Sequence, residues 1–257
     1  MLKLPLLACA LLSSLVGAAP VATAPSTRPA QAPAATTQAS VYTYGPRTRD
    51  GIGKYYMGRE IAHFMSHRGA GWLERPKRDA EENTTGLVNA IELRPTDVVA
   101  DIGAGTGYYT FRLAPKVPQG KVLAVDIQQE MLDLLTAAAA KREVTNVEPI
   151  LGTTSDPKLP EAGVDVVLMV DAYHEFDHPR EMMEAIVRAL KPGGRVVLVE
   201  FRAEDPAVRI KPLHKMSEVQ AVKEMTAAGL KHVQTLGVLP KQHLMVFEKP
   251  LARGGNN

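Results

Sequence analysis

The apolar run Val98-Val99-Ala100 closes on Asp101 and passes at once into Ile102-Gly103-Ala104-Gly105-Thr106-Gly107. No other stretch constrains the fold of this chain as much. A short run of small and β-branched residues without polar alternation reads as a strand buried on both faces, and such strands belong to parallel sheets covered by helices. Three glycines directly beyond it supply the positive φ angles of a tight turn and let a ligand approach the backbone. In open α/β folds that carboxyl edge of the sheet is where ligands lie.

The body repeats this theme. Further strand signals stand at 121–126, 147–151, 164–170 and 195–201, with helices expected over 106–115, 128–142 and 179–190. The last helix opens with a proline and is expected to stop at Lys191-Pro192-Gly193-Gly194. A helix over 217–228 then precedes two consecutive strands, 231–238 and 243–248, whose short link forces them antiparallel. The expected fold is α/β: a mostly parallel seven-stranded sheet, helices on both faces, and an antiparallel C-terminal hairpin.

Glycines alone do not name a ligand. A G-x-G-x-x-G dinucleotide fingerprint needs a small sixth residue, but counting from Gly103 or Gly105 gives Tyr108 or Thr110, and no Lys-Ser or Lys-Thr completes a phosphate loop. Three elements in order are more specific. Val99 to Gly107, Asp126 about 20 residues beyond the loop, and Leu190-Lys191-Pro192-Gly193-Gly194-Arg195 before the fifth strand resemble the motifs of class I S-adenosylmethionine-dependent methyltransferases. The likeness runs from Asp97 to Glu248 and implies that family's Rossmann-like fold, with S-adenosylmethionine as cofactor.

Roles follow from the resemblance position by position. The backbone of Gly103, Gly105 and Gly107, with Ala104 among them, would pass against the methionine part of the cofactor, and Asp101 would meet its ammonium directly or through water. Asp126, an acceptor-only carboxylate, suits two ribose hydroxyls, and Ile127 would lie against adenine. Thr153, Thr154 and Asp156 share the expected contact to the adenine amino group, and Asp171, ending the fourth strand, completes the cofactor set. Methyl transfer chiefly requires holding the acceptor in line, and a base only if the acceptor arrives protonated. His174 is the candidate base, with Tyr173 or Glu175 orienting it. Tyr55, Tyr56, Arg59 and Trp72 precede the first motif and are expected to act as a lid or to pack against the sheet.

His63 and His67, four apart, would share a helix face. Two ligands without the Glu of H-E-x-x-H make no site, so no metal is expected; His214 and His243 stay open as distant partners. Lys and Arg number 30 against 28 Asp and Glu, a formal net charge of +2, which lacks the concentrated positive field of a nucleic-acid binder. The single cysteine, Cys9, excludes a disulfide framework, a four-cysteine zinc site and a cysteine nucleophile in the body.

The organisation expected from composition is a signal peptide over 1–24, an Ala/Pro/Thr-rich linker over 25–41, a helical lid segment over 42–96, the methyltransferase domain over 97–250 and a disordered tail over 251–257. The leader has a basic start and an apolar run of about 13 residues, short of the roughly 20 that span a bilayer. It points to a periplasmic or extracellular protein; a leader that does not function would leave the chain anchored or cytoplasmic. Methyl transfer to a small-molecule acceptor is the leading function. A non-catalytic sensor or partner protein that binds S-adenosylmethionine is the alternative, and an aminopropyl- or hydride-transferring relative a third.

Overall fold

The computed structural model describes residues 41–251. The expected leader, 1–24, lies outside the described residues, as do 25–40 of the expected linker and 252–257 of the expected tail.

The chain opens with a small antiparallel sheet of β1 (Tyr42–Tyr44), β2 (Gly51–Tyr56) and β3 (Arg59–Ala62). This corrects the expectation of a helical segment from residue 42. Tyr56 pairs directly with Arg59, so Met57-Gly58 is a two-residue hairpin loop, with φ of 50° and 102°. Both central residues of a tight hairpin turn of this kind take positive φ. The sequence hides that turn because methionine replaces the usual Asn or Asp. Three short helices follow: α1 (Ala70–Leu73), α2 (Arg78–Glu82) and α3 (Thr84–Ala90).

The main sheet comprises β4 (Val98–Ile102), β5 (Lys121–Asp126), β6 (Val147–Leu151), β7 (Val164–Val170), β8 (Leu190–Arg202), the two-residue β9 (Lys215–Met216), β10 (Lys231–Leu236) and β11 (Gln242–Glu248). Seven of these lie in the order β10-β11-β8-β7-β4-β5-β6, and β9 pairs alongside β8. All pairings from β6 across to β8 are parallel, and β11 runs antiparallel to both neighbours. The intervening helices are α4 (Thr110–Leu113), α5 (Gln129–Lys141), α6 (Pro179–Ala189) and α7 (Glu218–Ala227).

Strand periodicity divides the core in two. On β7, Val167 and Met169 join Met182, Met183 and Ile186 of α6 and Met225 of α7 on one face. Val166 and Leu168 join Leu87 of α3 and Leu113 of α4 on the other. Every one of these side chains is buried, which is why the strand reads as a continuous apolar run. Two expected boundaries shift. The first crossover helix shrinks to α4 because Gly107, at φ 89°, holds the preceding residues in a turn. Residues 191–194, expected as a helix stop, extend β8: Gly193 bulges at φ 73°, and the Lys249 N–H donates to the Gly194 carbonyl at 2.8 Å.

Candidate active site

The glycine loop is built from beneath. Asp101, 3% exposed, accepts a 2.6 Å hydrogen bond from the Thr110 hydroxyl. Burial pushes its pKa up to about 6, against that hydrogen bond. Gly103, Gly105 and Gly107 all have positive φ, and a Cβ on Gly105 would stand 2.6 Å from Leu73 Cδ1, so α1 closes directly over the loop. The N–H groups of Gly103 and Ala104 both point inward to the Val125 carbonyl.

Asp126 ends β5 and ties the loop to the next helix. Its Oδ2 accepts from the Gly105 N–H and its Oδ1 from the Gln128 N–H, each at 2.9 Å. Each oxygen keeps a second lone pair for a ligand. Burial raises its pKa despite those N–H donors.

A cavity of about 480 Å³ opens at the carboxyl ends of β4, β5 and β7, a size suited to a cofactor and a small partner. Gly103, Gly105, Asp126, Ile127, Thr153, Thr154, Asp171, His174, Glu175 and Trp72 all line it. The structure thus brings together most of the residues expected there. Ala104, Gly107 and Asp101 support the loop from below and do not line the cavity. Asp156 is absent from the wall, both its carboxylate oxygens accepting from Lys158, while Thr153 and Thr154 line it.

Asp171 has φ 50° and is half-buried, with Oδ2 accepting from Gln242 at 3.3 Å and the buried Oδ1 without a partner. Burial, reinforced by Glu200 and Glu82, lifts its pKa well above the usual carboxylate range. Asp171 is on the cavity wall and Asp101 lies behind it. The glycine loop and the two-handed Asp126 on the cavity wall fit a nucleoside cofactor such as S-adenosylmethionine.

Beside them stands a second cluster. His174 and Glu175 occupy a single 3-10 turn after β7, and His214 a similar turn after β8. Glu200, fully buried on β8, meets His174 Nδ1 at 2.6 Å and its backbone N–H at 3.2 Å. A carboxylate there makes Nδ1 the donor and leaves Nε2 as an electron-pair donor, 2.9 Å from His214 Nδ1. Burial opposes protonation of His174, but Glu200 outweighs it and the pKa is raised. Burial pushes Glu175 up to about 7, and burial with His174 nearby drives His214 down to about 4.

Glu200 was not foreseen as a partner of His174, although an acid inside the apolar run Val196 to Phe201 is itself a signal. The expected orienting residue Tyr173 does not serve: it is fully buried and donates its hydroxyl to Glu224 at 2.7 Å, away from His174. Of the expected lid residues, Trp72 is on the wall with Arg75 stacked 4.0 Å from its ring. Tyr55 donates to the Pro46 carbonyl, Tyr56 packs against Tyr42, and Arg59 is locked to Glu224, so these three take the packing role. His63 and His67 share no helix: the first lies in coil beside Arg47 and the second in a 3-10 turn. Residues 63–75 nevertheless cover the site, because Gln128 holds both the His67 N–H and the Met65 carbonyl, and the Thr106 hydroxyl donates to Glu74 at 2.6 Å.

Asp101 yields a pH prediction. The folded state keeps its proton up to about pH 6, whereas the unfolded chain releases it near 3.9. Stability contributed by the neutral acid is therefore full below about pH 4 and is lost as pH rises to about 6, by about 3 kcal/mol. Denaturant unfolding of wild type and Asp101→Asn should diverge across that window; a pH-independent difference would refute the shifted carboxyl.

Fold and site together define a Rossmann-like domain whose cavity at the ends of β4 and β5 fits a nucleoside-bearing cofactor. A family model described as a methyltransferase domain matches residues 99–194. An uncharacterized methyltransferase of Bacillus subtilis, YcgJ, is 27% identical over 176 residues, covering 67% of this chain and 69% of that protein. The uncharacterized methyltransferase Rv3342 of Mycobacterium tuberculosis is 43% identical over 102 residues, 39% of this chain and 38% of that one. Among solved structures, a SAM-dependent methyltransferase from Aquifex aeolicus superposes with TM-score 0.68 at 23% identity, covering 72% of this chain and all of the other; at that identity the likeness shows the fold. Residues 99–194 thus match a methyltransferase domain, and the chain is similar to S-adenosylmethionine-dependent methyltransferases.

Proposed function

We propose that the protein methylates a small molecule bound in the same cavity as the cofactor, between Asp171 and the His174 cluster. The supporting observation is that Asp126, which suits the ribose, and His174, backed by Glu200, line one wall-to-wall space of about 480 Å³. When bound, S-adenosylmethionine supplies a methyl group already activated on a sulfonium, so the protein's task is to position the acceptor. Asp126 would hold the ribose, Ile127, Thr153 and Thr154 the base, the backbone of Gly103 and Gly105 the methionine part, and Asp171, or Asp101 through water, the ammonium. Glu200 raises the electron-donating power of His174 Nε2, which lies beside the cavity 2.9 Å from His214 Nδ1. Residues 63–75 limit access of bulk water. Among the described residues no helix is long and apolar enough to cross a membrane.

Calorimetry with S-adenosylmethionine, followed by a screen of small acceptors for S-adenosylhomocysteine, tests this reading. Saturable binding with product formation is expected. Saturable binding with no product from any acceptor would favour the sensor alternative, and affinity for NADH instead would overturn the assignment. Export is part of the proposal, carried by the leader alone; sequencing the N-terminus of protein from fractionated cells should find it processed near residue 24. An exported enzyme must obtain a cofactor that is made in the cytoplasm.

A further inference from the structure

We propose that His174, His214 and Glu175 form a binding site for a divalent transition-metal ion whose open position faces the acceptor. The role assigned to the ion rests on the methyltransferase reading; its binding does not.

The geometry is the first support. His174 Nε2 and His214 Nδ1 are 2.9 Å apart, and Glu175 Oε1 lies 3.8 Å from the first and 3.5 Å from the second. Three atoms at those separations are all about 2.0 Å from one central point, the length of zinc bonds to imidazole nitrogen and carboxylate oxygen. Two imidazoles and one carboxylate converge here from turns that follow different strands, β7 and β8.

The surroundings are the second support. Metal-bound histidines commonly give their remaining N–H to a carboxylate, which fixes the tautomer and strengthens the ligand, and bound carboxylates are themselves hydrogen-bonded. Glu200 does the first for His174 at 2.6 Å. The Met65 N–H does the second, donating to Glu175 Oε2 at 3.1 Å and leaving Oε1 to the cluster.

Three protein ligands beside a cavity are the pattern of a catalytic ion, which keeps one position for a ligand. His174, Glu175 and His214 line the cavity that also holds Asp126 and Gly105. Borderline-soft N and O donors favour zinc or a neighbouring first-row ion over magnesium or calcium. The substrate class follows. A small acceptor carrying a hydroxyl is a weak nucleophile at neutral pH, and in the open position it would release its proton to solvent more readily. The sequence could not show this site, since His214 is 39 residues beyond Glu175 and the two meet only through β8.

Zinc titrated into chelator-stripped full-length protein, with a chromophoric competitor as readout, should bind at one ion per chain with micromolar or tighter affinity. His214→Ala and Glu175→Gln should each weaken binding at least about 100-fold, and Glu200→Gln about 10-fold. Cobalt should give the intense visible bands of a four-coordinate ion, lost in Glu175→Gln, a near-isosteric change that keeps the test valid should His214→Ala misfold. Absence of saturable zinc binding, or undiminished affinity in both variants, overturns the site. S-adenosylmethionine affinity measured without metal judges the methyltransferase reading separately; if zinc fails while the cofactor binds, the ion site falls and that reading stands.

Discussion

Arg59→Ala is expected to lower the free energy of unfolding by about 3–5 kcal/mol, the usual effect of stranding one partner of a buried ion pair. Arg59 Nε donates to Glu224 Oε1 at 2.7 Å and one terminal nitrogen to Oε2 at 3.0 Å, while the other reaches the His174 carbonyl at 3.2 Å. Glu224 is fully buried, and Tyr173 and Gln220 already donate to it. Removing the guanidinium leaves those two neutral donors facing a charge that water cannot reach. The melting temperature should fall by roughly 10 °C. Arg59→Lys should recover only part, because an ammonium cannot bridge both oxygens in a plane. Arg59→Met with Glu224→Leu should regain most of the stability, since no charge is then stranded. A single Arg59→Ala variant that melts with the wild type would show that the pair is solvated.

The second large effect is on the cofactor. Asp126→Ala should weaken S-adenosylmethionine binding by about 100-fold or more, equivalent to about 3 kcal/mol. Two charge-assisted hydrogen bonds to ribose hydroxyls disappear, and the N–H groups of Gly105 and Gln128 lose the acceptor that fixes the loop against α5. Asp126→Asn should be nearly as damaging. Both carboxylate oxygens accept from backbone N–H groups, so an amide NH₂ must face one of those donors in either orientation. Calorimetry decides the matter: affinity within threefold of wild type in both variants would mean the sugar is bound elsewhere.

Much of the fold was legible because it rests on local pattern. The bounds of β5, β6 and β7 coincide with the strands read from apolar runs, and the cofactor edge was readable because glycines at positive φ leave a mark in sequence. The beginning of the chain was misread for the opposite reason. Gly51 to Tyr56 carries two glycines and no clean alternation, and its hairpin turn uses a residue that seldom adopts positive φ. Only pairing with β1 and β3 makes it a strand. Arg59 and Tyr173 were expected near the chemistry and instead brace it from beneath, because Glu224 on α7, 165 residues from Arg59, draws both away.

Sequence alone determined that the strands before the final hairpin run parallel, the loop after Asp101 and the acid at Asp126, since each is read from a strand and the turn or helix that follows it. Tertiary structure decided everything that depends on two strands lying side by side. The β7–β8 pairing puts Glu200 under His174 and His214 beside Glu175, and the cover formed by residues 63–75 depends on Gln128 reaching back to it. Hydrogen bonds and ion contacts act over about 3 Å of space regardless of how much chain separates the groups, so periodicity and spacing along the sequence carry no trace of them.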